Sequence, residues 1–140
     1  IIPPPPTMKF TTAVYFDAGA SSWDNGSGGP SLSYFVEIWK RHGIEFRDIF
    51  AYEMRTDSND FYNTVPPPFQ KIVHYQQCAV SSDPREDSKD HPFLPLVVKR
   101  QATNEDYVLF KLDIDSPHVE NGNIDFILND PDTHIDELLW

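Results

Sequence analysis

The sequence predicts an α/β fold, a Rossmann-like three-layer sandwich around a largely parallel sheet, and three observations carry that expectation. Short runs rich in β-branched and aromatic residues alternate with segments of helical apolar spacing. The first run, the glycine-rich loop after it, a helix and a second run make a strand–helix–strand unit, whose crossover should be right-handed. Several of the runs also end in acidic residues, at the carboxyl edge where an open parallel sheet gathers its ligands.

The chain has 140 residues, enough for one domain with a real core and too few for two ordinary ones. Residues 1–12 read as a proline-rich linker or tail, because four consecutive prolines favour an extended polyproline II run; a proline-recognition ligand is the alternative. Residues 13–140 read as the Rossmann-like domain. Within it Thr12 to Phe16 is the first strand, turning at Asp17-Ala18-Gly19-Ala20, and Ser21 to Gly29 is a flexible polar loop. Pro30 then opens a helix in which Leu32, Phe35, Val36 and Trp39 recur at i, i+3, i+4 and i+7, until Gly43 stops it. Asp48 to Glu53 is the second strand.

Asp57 to Tyr62 is compatible with a short helix before the three prolines at 66–68, and Lys71 to Val80 has strand character. Ser81 to Asn104 is polar and proline-punctuated with one apolar patch, Phe93 to Val98, so it reads as a substrate-side insertion or a mobile loop. Tyr107 to Leu112 is the clearest buried strand. A helix from Pro117 to Leu128 follows, weakened by Gly122 and stopped by Asp130-Pro131, and Ile135 to Trp140 opens another strand. The start at Ile1 and the close on an apolar run both read as cuts within a longer polypeptide.

Composition excludes some partners. With 11 Lys plus Arg against 22 Asp plus Glu, the formal net charge is -11, and no basic stripe interrupts it, so nucleic acid and anionic membrane surfaces are disfavoured. No run of about 18 apolar residues and no signal-peptide pattern is present. The segment reads as soluble and cytoplasmic by default, which leaves room for an upstream anchor or targeting segment. The single cysteine, Cys78, cannot close an internal disulfide and reads as a small buried hydrophobe in a strand.

At the carboxyl edge, Asp17 with Gly19, Glu53, and Asp113 with Asp115 should converge on one crevice. A glycine turn lets backbone approach a ligand closely, and an acid closing the second strand suits ribose hydroxyls, so a nucleoside-bearing ligand is expected. The dinucleotide fingerprint G-x-G-x-x-G is absent, since Ala20, Ser21 and Ser22 follow Gly19, and neither a G-x-S-x-G elbow nor a Walker loop occurs. Asp113 and Asp115 read as capping or solvated carboxylates, with a divalent-metal site formed together with His118 the alternative; His42, His74, His91 and His134 lack zinc spacing.

Four segments in order, FDAGA (Phe16 to Ala20), FAYE (Phe50 to Glu53), CAVS (Cys78 to Ser81) and YVLFKLDIDSPHVE (Tyr107 to Glu120), resemble the FkbM-type branch of class I S-adenosylmethionine-dependent methyltransferases. The resemblance runs from Val14 to about Trp140 and implies that the C-terminal strands of the methyltransferase fold are missing or incomplete. It implies that Asp17, Gly19 and Ala20 lie against the methionine part of S-adenosylmethionine, that Glu53 holds the ribose, and that Ala79 and Val80 pass near the adenine. Lys111, Asp113, Asp115 and Glu120 match the family's strand-to-helix signature on the acceptor side, which makes Asp113 and Asp115 the candidate catalytic pair for O-methylation of a small molecule or sugar. The sequence departs from the family in its long loop from Ser21 to Gly29 and in Ser116-Pro117, which stands where the family has a glycine-containing turn. A non-catalytic Rossmann-like binding or assembly domain is the rival expectation, and a nucleotide-sugar or NAD enzyme a third.

Overall fold

A computed structural model describes residues 12–25 and 32–140. The proline run and the glycine-rich end of the first loop, including Gly26, Gly28, Gly29 and Pro30, lie outside the described residues. Strands β1 (Thr12–Ala18), β2 (Phe46–Glu53), β3 (Val73–Gln77), β4 (Asp106–Leu112) and β5 (Glu137–Leu139) form one sheet in the order β3-β2-β1-β4-β5, with every pairing parallel. Helices α1 (Leu32–Arg41), α2 (Ser58–Thr64), α3 (Leu94–Gln101) and α4 (Pro117–Asn129) fill the connections, so the chain is an α/β Rossmann-like three-layer sandwich.

A parallel sheet covered on both sides reads as continuous apolar runs, and the two central strands do: all of β4 and all but the first residue of β1 are buried. Alternation sorts their side chains into two cores. Ala13, Tyr15, Ile49, Ala51 and Leu109 meet α1 and α2 through Leu32, Phe35, Trp39 and Phe61. Val14, Phe16, Ala18, Val108, Phe110 and Leu112 meet α3 and α4 through Leu94, Val97, Val98 and Ile124.

Local chemistry sets the helix ends. Gly43, at φ +80°, closes α1: its N–H donates to the Lys40 carbonyl while that of Ile44 reaches back to Trp39. Asp57 caps α2 by accepting from the Asn59 N–H.

The stretch 81–104 differs from the expectation of an insertion or mobile loop. It holds a short 3-10 turn, Pro84–Glu86, and then α3, the crossover helix that a parallel β3-to-β4 connection requires. The apolar patch at Phe93 to Val98 is the buried face of this helix. Its signal is weak in sequence because the helix is short, Val97 and Val98 are poor helix formers, and Phe93 offers no side-chain cap, although Pro95 in the first turn is compatible with a helix start. Asp87 anchors the start of the helix instead, accepting from the N–H of Phe93 itself at 2.8 Å and pairing with Arg100 at 2.8 Å.

Gly122, read as a weakness of α4, is required there. A Cβ at this position would lie 2.3 Å from the Ser82 carbonyl oxygen, so the helix docks on the 81–82 turn through bare backbone. The adjacent Asn123 amide donates to the Ser81 carbonyl at 2.9 Å and seals the contact. Among the described residues no helix is long and apolar enough to cross a membrane.

Candidate functional site

Strand register brings the acidic strand ends together. Ala18 is level with Tyr52 on one side and Leu112 on the other, so Gly19, one residue on, is flanked by Glu53 and Asp113. With neighbouring strands about 4.8 Å apart, the two carboxylate-bearing positions stand about 10 Å apart across a glycine. Gly19 has φ +101°, and a Cβ there would fall 1.9 Å from the Asp113 carbonyl oxygen, so glycine alone fits. The N–H groups of Gly19 and Ala20 both donate to the Tyr52 carbonyl and that of Asp113 to Ala18, which prolongs the sheet into the turn.

Over this row opens a cleft of about 430 Å³ at the carboxyl edge. Gly19, Ser21, Glu53, Arg55 and Thr56 line one bank, and Asp113, Ile114, Asp115 and Ser116 the other. Met54, Cys78, Ala79, Val80 and Val119 give it an apolar wall. Of the residues expected at the site, Gly19, Glu53, Ala79, Val80, Asp113 and Asp115 therefore share one cavity. Asp17 and Ala20 do not line it; both are buried beneath, at 1% and 4% exposure.

Asp17 is engaged inside the protein. Its carboxylate accepts from the Tyr15 hydroxyl at 2.6 Å and from the Lys111 ammonium at 3.1 Å, on the level where β1 and β4 are registered. Burial pushes the Asp17 carboxyl up from its ordinary value, against the pull of Lys111 and Tyr15, and burial with the neighbouring Asp17 charge pushes the Tyr15 phenol up. Lys111, matched to the resemblance's acceptor-side signature, is thus the counter-ion of Asp17.

The cleft carboxylates are held differently. Glu53 accepts from the Arg55 N–H at 2.8 Å, an interaction within its own turn. Asp113 and Asp115 have no side-chain hydrogen bond or ion pair among the described residues, and Asp115 sits at φ +54°, a left-handed conformation that aspartate tolerates better than most residues. Glu120 holds this turn from below, its carboxylate accepting from the Ile114 N–H at 3.1 Å.

Cys78 departs from its expected place. It lies one residue past β3, half-buried on the cleft wall, because the strand ends at Gln77. Burial, with a smaller contribution from Asp90, raises its thiol to about 11 and keeps it protonated. His118 faces Ser82, with Nε2 3.2 Å from Oγ, and no group of three His, Cys, Asp or Glu among the described residues could hold a metal ion.

Met54, Arg55, Thr56 and Val119 were not singled out in the sequence, although the first positions after β2 were bound to line a crevice at that edge. The pairing of Tyr15 with Asp17 was equally legible in principle, since i and i+2 share one face of a strand.

The chain matches no family model, no curated protein and no solved structure.

Proposed function

We propose that the chain is the cofactor-binding part of an S-adenosylmethionine-dependent methyltransferase, with O-methylation of a small molecule or sugar as the reaction. The observation that carries this reading is the row Glu53, Gly19, Asp113 across three adjacent parallel strands at the mouth of one cleft. The resemblance of the four segments to FkbM-type methyltransferases adds the choice of cofactor.

The donor set fits such a group. A carboxylate closing the second strand, Glu53, matches vicinal ribose hydroxyls, and the wall of Met54, Ala79 and Val80 is apolar enough for a base. When bound, S-adenosylmethionine supplies an electrophilic methyl on a sulfonium. Glu53 would hold the ribose, and Gly19 leaves the floor bare so that the ligand can lie against backbone. Asp113 and Asp115, unpartnered on the far bank, would orient an acceptor hydroxyl and take its proton as the nucleophile forms. Lys111 neutralises Asp17 beneath them and adds no free charge to the site.

The second reading, a non-catalytic Rossmann-like domain, is favoured by one feature: the Gly19 and Ala20 N–H groups are both given to Tyr52 and offer nothing to a ligand. Calorimetric titration with S-adenosylhomocysteine separates the two. The methyltransferase reading expects micromolar binding, abolished by Glu53→Ala; a folded chain that takes up no ligand supports the scaffold.

A further inference from the structure

We propose that Tyr75 is a positioning residue for the cleft, its hydroxyl holding the Glu53–Thr56 turn at the height where the Glu53 carboxylate meets its ligand. The assignment of a ligand rests on the reading of Glu53 given above; the hold on the turn does not.

Tyr75 lies on β3, level with Ala51 of β2. Its ring stacks on Phe61 of α2 with centroids 3.9 Å apart and planes 10° from parallel. Because β3 is the edge strand, its outward N–H needs another partner, and the Tyr62 hydroxyl accepts it at 2.9 Å while donating to the Val73 carbonyl at 3.1 Å. Ring and backbone are thereby fixed, and the phenol oxygen projects under the turn that follows β2. There it donates to the Thr56 carbonyl at 2.6 Å and stands 3.3 Å from the Glu53 carbonyl. Burial raises the phenol and keeps it a donor.

These two carbonyls bracket the turn that carries the acid. Thr56 passes the restraint on, since its hydroxyl donates to the Ser21 carbonyl at 3.1 Å in the loop after β1. Glu53 depends on it too, because its carboxylate is oriented by the Arg55 N–H within the same turn. The turn's own side chains pack little, since Met54 is 58% exposed and Arg55 is exposed, and its other ties, the Cys78 N–H on the Glu53 carbonyl and the Gln77 amide on the Met54 carbonyl, leave the Thr56 end to Tyr75. A core aromatic at position 75 needs only the ring, which phenylalanine would supply equally well. The hydroxyl is therefore the informative atom.

Tyr75→Phe keeps the stack on Phe61 and removes only that atom. Hydrogen exchange at the Arg55 amide should accelerate roughly tenfold while amides of β1 and β4 are unchanged, the loss of one hydrogen bond. Affinity for S-adenosylhomocysteine should fall roughly fivefold in the wild-type background and by less than about twofold when Glu53→Gln is already present. Unchanged exchange at Arg55 overturns the proposal, and an equal affinity loss in both backgrounds overturns the link to Glu53. If the wild-type chain takes up no S-adenosylhomocysteine, the reading of the ligand fails and the exchange measurement alone decides the role of Tyr75.

Discussion

The two ends of the sheet treat the same chemical group in opposite ways. At the amino end of the strands every central carboxylate is consumed: Asp106 accepts from Thr12, from Thr103 at 2.8 Å and from Arg47 at 3.1 Å, and Asp48 is paired with Arg47 and with His74. At the carboxyl end Glu53 has a single backbone donor, and Asp113 and Asp115 have none among the described residues. Partnered carboxylates hold strands in register, and unpartnered ones beside a cavity are available to a ligand. Between the two ends sits Asp17, which belongs by sequence to the functional end and by its contacts with Tyr15 and Lys111 to the structural one.

That contrast breaks most visibly at the buried pair. Lys111→Met leaves Asp17 without its counter-ion at 1% exposure, and denaturant unfolding should show a loss of about 3–5 kcal/mol. Adding Asp17→Asn should recover much of it, since no buried charge then remains. Equal stability of Lys111→Met and wild type would move Asp17 into the cleft's chemistry after all.

Two glycines sharpen the comparison next. Gly19→Ala, at the functional end, meets both a left-handed φ and the Asp113 carbonyl, and should cost about 2–4 kcal/mol. Gly43 turns the chain into the amino end with φ +80° and nothing within 4 Å of a Cβ, so Gly43→Ala carries the conformational strain alone, about 1 kcal/mol. Thermal melts of the two variants side by side give the difference, and a reversed order would refute the close approach of the β1 and β4 turns.

The third test concerns acid sensitivity at the amino end. Burial pushes the Asp106 carboxyl up, but the hydrogen bonds from Thr12 and Thr103 and the Arg47 charge outweigh it and hold the group below its ordinary value. Its contribution is therefore full above the unfolded carboxylate value of about 3.9 and is lost as pH falls through the lower native value. Asp106→Asn should be less stable than wild type at pH 6, by about 1–3 kcal/mol, and the gap should narrow by pH 2.5, as followed by urea midpoints. A gap of constant size would mean that Asp106 contributes through packing rather than charge.

Much of the fold was legible because its signals are periodic or chemically loud. Leu32, Phe35, Val36 and Trp39 spell one helical face, and Tyr107 to Leu112 is the clearest buried strand in the sequence. α3 was hidden because it is short and uncapped and Val97 and Val98 lower its helical character, which packing in the cluster with Val14 and Phe110 restores. The site was legible at Gly19, Glu53, Asp113 and Asp115 through their positions at strand ends. What sequence could not convey is depth: Asp17 and Glu53 both stand near the ends of neighbouring strands and look alike, but Asp17 is level with Ala51 and Lys111, two residues below Glu53, which ends β2 at the cleft.

The central claim concerns where a ligand sits, and a crystal structure of the chain grown with S-adenosylhomocysteine tests it most directly. The expected result is an adenosyl group over Gly19 with ribose hydroxyls within hydrogen-bond distance of the Glu53 carboxylate. Clear density for the ligand at any other place on the protein, with Glu53 still turned to its own backbone, would contradict it.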